Sequence, residues 1–388
     1  MNSTRKISAG KVIGSGGFGC VFKPALKCNN KKNRTKGISK LSKTNESIKE
    51  FKIIKNIQSI IDKINNNKKY FLISDISMCQ PDKISVNDFE NINSCSMISE
   101  TTLSNFNKNI KNYKILNMPD GGKSLNFTIE NNIIEFNKIN NLLINLLGKA
   151  IIPMNNLNLF HNDIKSENIL YKNYNLKIID FGEYFKFKKN IIPDVLKNRK
   201  ILYNSPFSRI LFNNFFINNF NKLIEKINIQ KYSDKELFTI IFKIVYKLYS
   251  HFIDKYNGTG HEEFLSQYVF KILIKNNPNN YFNFLPESLK QEPKSCLKIF
   301  IVLYCSEVFH KYFNKNIKKF EVEKYYSEIY IKNVDIYGFI SCYIDYIFYN
   351  NFKLSNNISL ILLEFCFSRK FAAKAIDKKL LIEKLNSL

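Results

Sequence analysis

Two short polar blocks constrain this chain more than any other feature. His161-Asn162-Asp163-Ile164-Lys165-Ser166-Glu167-Asn168 sits between the apolar runs 157–160 and 169–171, and Lys177-Ile178-Ile179-Asp180-Phe181-Gly182 follows shortly after. Loop carboxylates beside a core cost desolvation unless they hold a metal or a proton, so a cluster this dense implies chemistry. The residues between the blocks suffice for two short strands, 169–172 and 176–179, with Lys172-Asn173-Tyr174-Asn175 as the turn. Such a hairpin returns Asp180 to Asp163.

The spacing suits phosphoryl transfer. In-line attack on a γ-phosphoryl group needs a carboxylate to orient the attacking hydroxyl, a cation near the transferred group, and oxygen ligands for magnesium. Asp163 is the candidate base, Lys165 the cation, and Asn168 with Asp180 the metal ligands. A third block, Ile13-Gly14-Ser15-Gly16-Gly17-Phe18-Gly19-Cys20-Val21, is flanked by strand-like Lys11-Val12-Ile13 and Val21-Phe22-Lys23. A lone GxGxxG also fits a dinucleotide-binding turn or a flexible loop. The dinucleotide turn requires a following helix, whereas Val21-Phe22-Lys23-Pro24 is extended and ends in proline, which fits a hairpin over phosphates. Glycines there let backbone amides approach the phosphate oxygens.

From the glycine loop to Asp180-Phe181-Gly182, and more loosely to the C-terminus, the chain resembles the eukaryotic-type protein kinases. The resemblance implies an α+β, bilobal kinase-like fold. Its parts would be a small β-rich N-lobe at 1–118, catalytic and activation segments of the C-lobe at 119–206, a helical insertion at 207–333, and terminal helices at 334–388. It implies ATP and Mg2+ as cofactors, with 13–21 over the nucleotide. Gly37-Ile38-Ser39-Lys40-Leu41 looks like the strand whose lysine holds the α- and β-phosphates. Lys40 has the apolar neighbours such a position needs, while Lys36 and Lys43 compete for the role. Its acidic partner would be Glu50, preferred over Glu46 because apolar residues follow it at helical spacing. The stretch from Tyr113 to Leu125 resembles the strand and hinge that read the adenine edge, with Met118 at the base and Asp120 within reach of the ribose. A strand ending in a Pro-Asp-Gly turn would explain it equally. The apolar periodicity over 132–158 reads as buried helices.

Beyond Gly182 the match thins. Ser205-Pro206-Phe207 falls where kinases close the activation segment but carries no glutamate. Val334-Asp335-Ile336-Tyr337-Gly338-Phe339 is similar to the helix whose aspartate ties down the catalytic loop; an amphipathic helix with a capping aspartate is the alternative. The roughly 125 residues between them exceed loop lengths, and clusters such as 237–246 and 297–305 can bury a core, so a helical subdomain packed on the C-terminal lobe is expected. This insertion and the Asn, Lys and Ile excess look like the serine/threonine kinases of large cytoplasmic DNA viruses. Asn162 stands where phosphorylation-controlled kinases carry an arginine, so the segment after Gly182 is expected to need no phosphate.

With 388 residues and 45% hydrophobic content the chain can bury two lobes and an insertion. No apolar run reaches membrane-spanning length, so no membrane partner is expected. Four histidines lack zinc spacing, and His261-Glu262-Glu263 lacks the second histidine of a metalloprotease helix. Eight cysteines without a CxxC pair, and no secretory segment before Gly14, point to a reducing cytosol, which for a viral protein is the host cytoplasm or the virion. The net charge of +26 suits acidic protein substrates and is the main support for a rival, a non-catalytic nucleic-acid or scaffold module. The lysines, however, are spread along the chain without a stripe or an RNA-binding signature. A kinase-fold enzyme for small molecules is a second rival; Lys165 and the intact Asp180-Phe181-Gly182 favour serine/threonine hydroxyls of proteins.

Overall fold

The computed structural model describes residues 10–16, 19–29, 31, 35–89, 95, 101–256, 260–348 and 352–388. The chain is a mixed α+β protein with an antiparallel sheet near its N-terminus and a helical remainder. It divides into two compact units: Met1–Gly122 with Leu170–Gly182, and Lys123–Ile169 with Glu183–Leu388.

The first unit is built on a five-stranded sheet in the order β1-β2-β3-β5-β4. The strands are β1 (Lys11–Gly16), β2 (Gly19–Lys23), β3 (Ile38–Lys43), β4 (Ser77–Cys79) and β5 (Tyr113–Met118), each pair antiparallel. The glycines therefore join two strands, not a strand and a helix. Gly17 and Phe18, expected over the nucleotide, lie outside the described residues. Gly19 is required for close approach, because a Cβ there would stand 2.5 Å from the Leu41 carbonyl oxygen. β3 runs directly into α1 (Thr44–Ile61), which buries Ile54, Ile57 and Ile61 at helical spacing. A core of Cys20, Phe22, Leu41, Phe106 and Ile115 also packs in this unit.

Two findings in this unit correct the sequence reading. Cys20 is bonded to Cys95 and Cys28 to Cys79, leaving Cys296, Cys305, Cys342 and Cys366 as buried free thiols. The absence of CxxC spacing said nothing about these pairs, which the sheet assembles across sequence separations of 75 and 51 residues. The cysteines therefore give no support to a reducing compartment. The second correction concerns the boundary at Met118. The hairpin Ile169–Lys172 and Asn175–Ile178 belongs to the first unit from Leu170 onward. Its turn is the two residues Asn173 and Tyr174, with φ of 48° and 57°, a type I′ geometry shorter than the expected four-residue turn. Phe71 pairs with Ile178 in parallel, and the Phe71 and Phe181 rings lie 6.3 Å apart, which binds this hairpin to the sheet's unit.

The second unit is helical, with α2 (Phe136–Leu146), α3 (Asn214–Glu225), α4 (Asp234–Tyr256), α5 (Pro293–Lys311) and α6 (Ile331–Ser341) as its longer elements before the terminal helices. Residues 207–333 share this unit with 334–388 and form no compact unit of their own. Phe220 stacks on Phe309 at 3.9 Å, and the Tyr325 hydroxyl donates to the Ala372 carbonyl at 3.2 Å and shares a hydrogen bond with Ser208 Oγ at 2.6 Å. α6 buries every residue except Lys332, so it is not an amphipathic surface helix, and Asp335 lies in its interior instead of at its cap. Among the described residues, no helix is long and apolar enough to cross a membrane.

Candidate active site

The candidate catalytic loop of the second unit converges on one carboxylate. Asp163 Oδ2 accepts from Lys165 Nζ and from Asn168 Nδ2, both at 2.9 Å. Asn168 Nδ2 also donates to the Asp163 carbonyl at 2.9 Å. Asp163 Oδ1 accepts from Asn204 Nδ2 at 2.8 Å. Sequence reasoning missed Asn204. The available signal was its place immediately before Ser205-Pro206-Phe207, which falls where kinases close the activation segment.

Beneath this loop lies Asp335. Its carboxylate accepts from the backbone amides of His161 (2.9 Å) and Asn162 (2.8 Å) and from Asn155 Nδ2 (2.7 Å). Burial pushes the Asp335 carboxyl above its usual range, while His161 and the three donors pull it back. Gly338, one turn along α6, lets the helix touch the loop: a Cβ there would stand 2.7 Å from the Ile164 carbonyl oxygen. Asn162 adopts φ of 65°, a left-handed conformation that asparagine tolerates, and its Nδ2 donates to the Glu183 carbonyl at 2.9 Å. Glu183 also pairs with Arg199, and Phe185 pairs with Phe160 in a short antiparallel ladder. The segment after Gly182 is thus tied down by its own side chains and backbone.

In the first unit, Lys40 Nζ meets Glu50 Oε2 at 2.7 Å. β3 aims the lysine and the second turn of α1 supplies the glutamate, with Lys40 opposite Val21 on one neighbour and Leu116 on the other. The competitor Lys36 instead lines a cavity of about 460 Å3 with Gly37, Asn117, Met118, Pro119 and Asp120. Met118 and Asp120 are therefore grouped with Lys36, and among the described residues neither the glycine loop nor Lys40 lines this cavity. Pro119 has no N–H, so that position can offer a base only its carbonyl.

Two residues expected at the nucleotide have side chains engaged within the first unit. The Cys20 side chain is wholly buried and disulfide-bonded, so it faces the core; Gly14, Ser15, Gly16 and Ile13 remain exposed. The Asp120 carboxylate is engaged inside its unit by Lys23 at 2.8 Å, Lys172 at 3.1 Å and the Gly122 amide at 3.0 Å. Burial works to raise its pKa, but Lys23, Gly122 and Lys172 together hold it at about 2.

Asp180 is exposed and left-handed, with φ of 61°, and its Oδ1 accepts from the Gly182 amide at 3.3 Å. Both Asn168 donor contacts use Nδ2, which leaves Oδ1 as the polar atom available to a cation. Asp180 in the first unit and Asn168 in the second each present a hard oxygen, the donor type magnesium takes. Among the described residues no three His, Cys, Asp or Glu side chains gather, but magnesium held mainly by phosphates needs only one or two protein oxygens. No family model matches the chain, and no curated protein matches its sequence.

Proposed function

We propose that this chain is a protein kinase of bilobal kinase-like fold that transfers the γ-phosphoryl group of Mg-ATP to serine or threonine hydroxyls of proteins. The observation that carries the reading is the Asp163 carboxylate, held by Lys165, Asn168 and Asn204 on a loop whose backbone is fixed by buried Asp335. Such a carboxylate is preorganised to accept the proton of an attacking hydroxyl. Lys165 neutralises charge developing on the transferred group. In the first unit, Glu50 orients Lys40 toward the nucleotide's phosphates, and glycine-loop amides add donors without added charge. Magnesium, held by Asp180 and Asn168, would neutralise the phosphates.

A basic surface suits acidic protein substrates, and host cytoplasm or virion is the compartment the viral resemblance suggests. Incubation with labelled ATP, magnesium and casein tests the reading, beside an Asp180→Ala variant. Label should pass to serine or threonine with the wild type and not with the variant. Equal transfer by the two proteins, or none by either, refutes the assignment.

A further inference from the structure

We propose that the stretch inserted before α6 supplies a positioning residue, His261, that holds residues 201–205 where Asn204 can orient Asp163; this deepens the phosphotransfer reading and rests on it. His261-Glu262-Glu263 makes no sense as a zinc helix, yet its first residue is docked beside the candidate catalytic loop. The His261 amide donates to the Ile201 carbonyl at 3.2 Å, and the Tyr203 amide donates to His261 Nδ1 at 3.3 Å. These two bonds bracket Leu202 and fix the approach of the chain to Asn204.

The neighbouring contacts show why the grip reaches the reacting group. Tyr203 lies with its ring 5.0 Å from the imidazole and 5.3 Å from Phe264, while its hydroxyl donates to Glu167 Oε2 at 2.8 Å. Asn204, the next residue, donates to Asp163 Oδ1. The approach is close enough to demand glycine at the position before His261. Gly260 has φ of 48°, and a Cβ there would stand 2.9 Å from the Ile201 carbonyl oxygen. Because Nδ1 accepts a hydrogen bond, the imidazole must be neutral with its proton on Nε2. Burial first, and then the Lys165 charge, hold its pKa below the usual histidine value against Asp163 and Glu167. The neutral form that the grip needs is thus the form the surroundings favour.

The test compares His261→Ala with His261→Asn, whose amide oxygen can take the place of Nδ1. His261→Ala should lower kcat by about 10- to 100-fold, as small misplacements of reacting groups do, with KM for ATP little changed. His261→Asn should recover most of that loss. Hydrogen exchange at the Tyr203 and Asn204 amides should rise in the alanine variant and return toward wild type in the asparagine variant. Thermal unfolding of both variants separates this from a general loss of folding. Activity abolished by Asp163→Ala but retained by His261→Ala, or an asparagine variant no better than alanine at equal stability, overturns the inference alone. A wild-type chain without transfer activity overturns the phosphotransfer reading and this inference with it.

Discussion

Asp163 receives three side-chain donors on two oxygens, which makes its amide analogue an informative substitution. The amide that Asp163→Asn introduces would keep the volume but present an NH2 group to at least one of those donors, and it could not accept a proton. We expect Asp163→Asn to lower single-turnover transfer by about 1,000-fold while nucleotide affinity changes little. Single-turnover kinetics beside equilibrium nucleotide titration checks this; equal loss in both measurements would show that Asp163 serves binding and not the transfer. A second residue, Asp345, ties loop chemistry to pH. Burial pushes its carboxyl up to about 6 from the ordinary 3.8, against a Ser166 hydroxyl that favours the charged form. The folded chain therefore holds this proton more tightly than the unfolded chain. Its stabilising contribution is full below about pH 4 and lost as pH rises to about 6. Asp345→Asn removes the ionisation, so it should raise stability at about pH 8 by about 1–3 kcal/mol, the span reflecting partial solvent screening, and change little in acid. Urea unfolding at both pH values reads the difference.

α6 acts on the site as an element, through Asp335 and Gly338, which lie one turn apart on one side of the helix. Gly338→Ala drives a methyl group against the Ile164 carbonyl, in a helix with no free side to yield. We expect a loss of about 1–3 kcal/mol together with a lower kcat, because the displaced backbone is that of the candidate catalytic loop. Denaturant unfolding and steady-state kinetics on one preparation check both, and a variant that loses stability at unchanged kcat would detach α6 from the loop's function. The segment after Gly182 gives a further expectation. Asn162, Arg199 and the Phe185 ladder already restrain it, so phosphatase-treated enzyme should keep most of its activity. Loss of activity restored by autophosphorylation in that segment contradicts this. Legibility in the sequence followed contiguity. The clustering of polar side chains at 161–168 and the Lys40 strand with its succeeding helix were readable because pattern and periodicity sit within a few residues. The contacts of Asn204 and His261 were not, since each is made with a partner 41 or 58 residues away. The hairpin was legible as a hairpin, but its membership of the sheet's unit depends on Phe71 and Lys172 contacts that no local pattern announces.

At the scale of the molecule, the two bridges divide the cysteines by unit. Cys20, Cys28, Cys79 and Cys95 are all in the first unit and all bonded, whereas the four free thiols are all buried in the second. The bridges fasten β2 and the chain just after it to residues 95 and 79, across closed stretches of 75 and 51 residues. Crosslinks over such lengths act mainly by restricting the unfolded chain, and each is worth about 2–4 kcal/mol. Reduction should therefore lower the stability of the first unit while leaving the thiols of the second shielded by packing. Alkylation of unfolded protein gives the direct measurement: four cysteines should be modified without reductant and eight with it. A Cys20→Ser, Cys95→Ser double variant should then unfold at lower denaturant concentration than wild type. Modification of all eight cysteines without reductant would mean that the chain matures reduced, and would restore the cytosolic reading that cysteine spacing first suggested. Four and eight would instead point to an oxidising step during maturation, because disulfides are rare in chains that mature under ordinary cytosolic thiol poise.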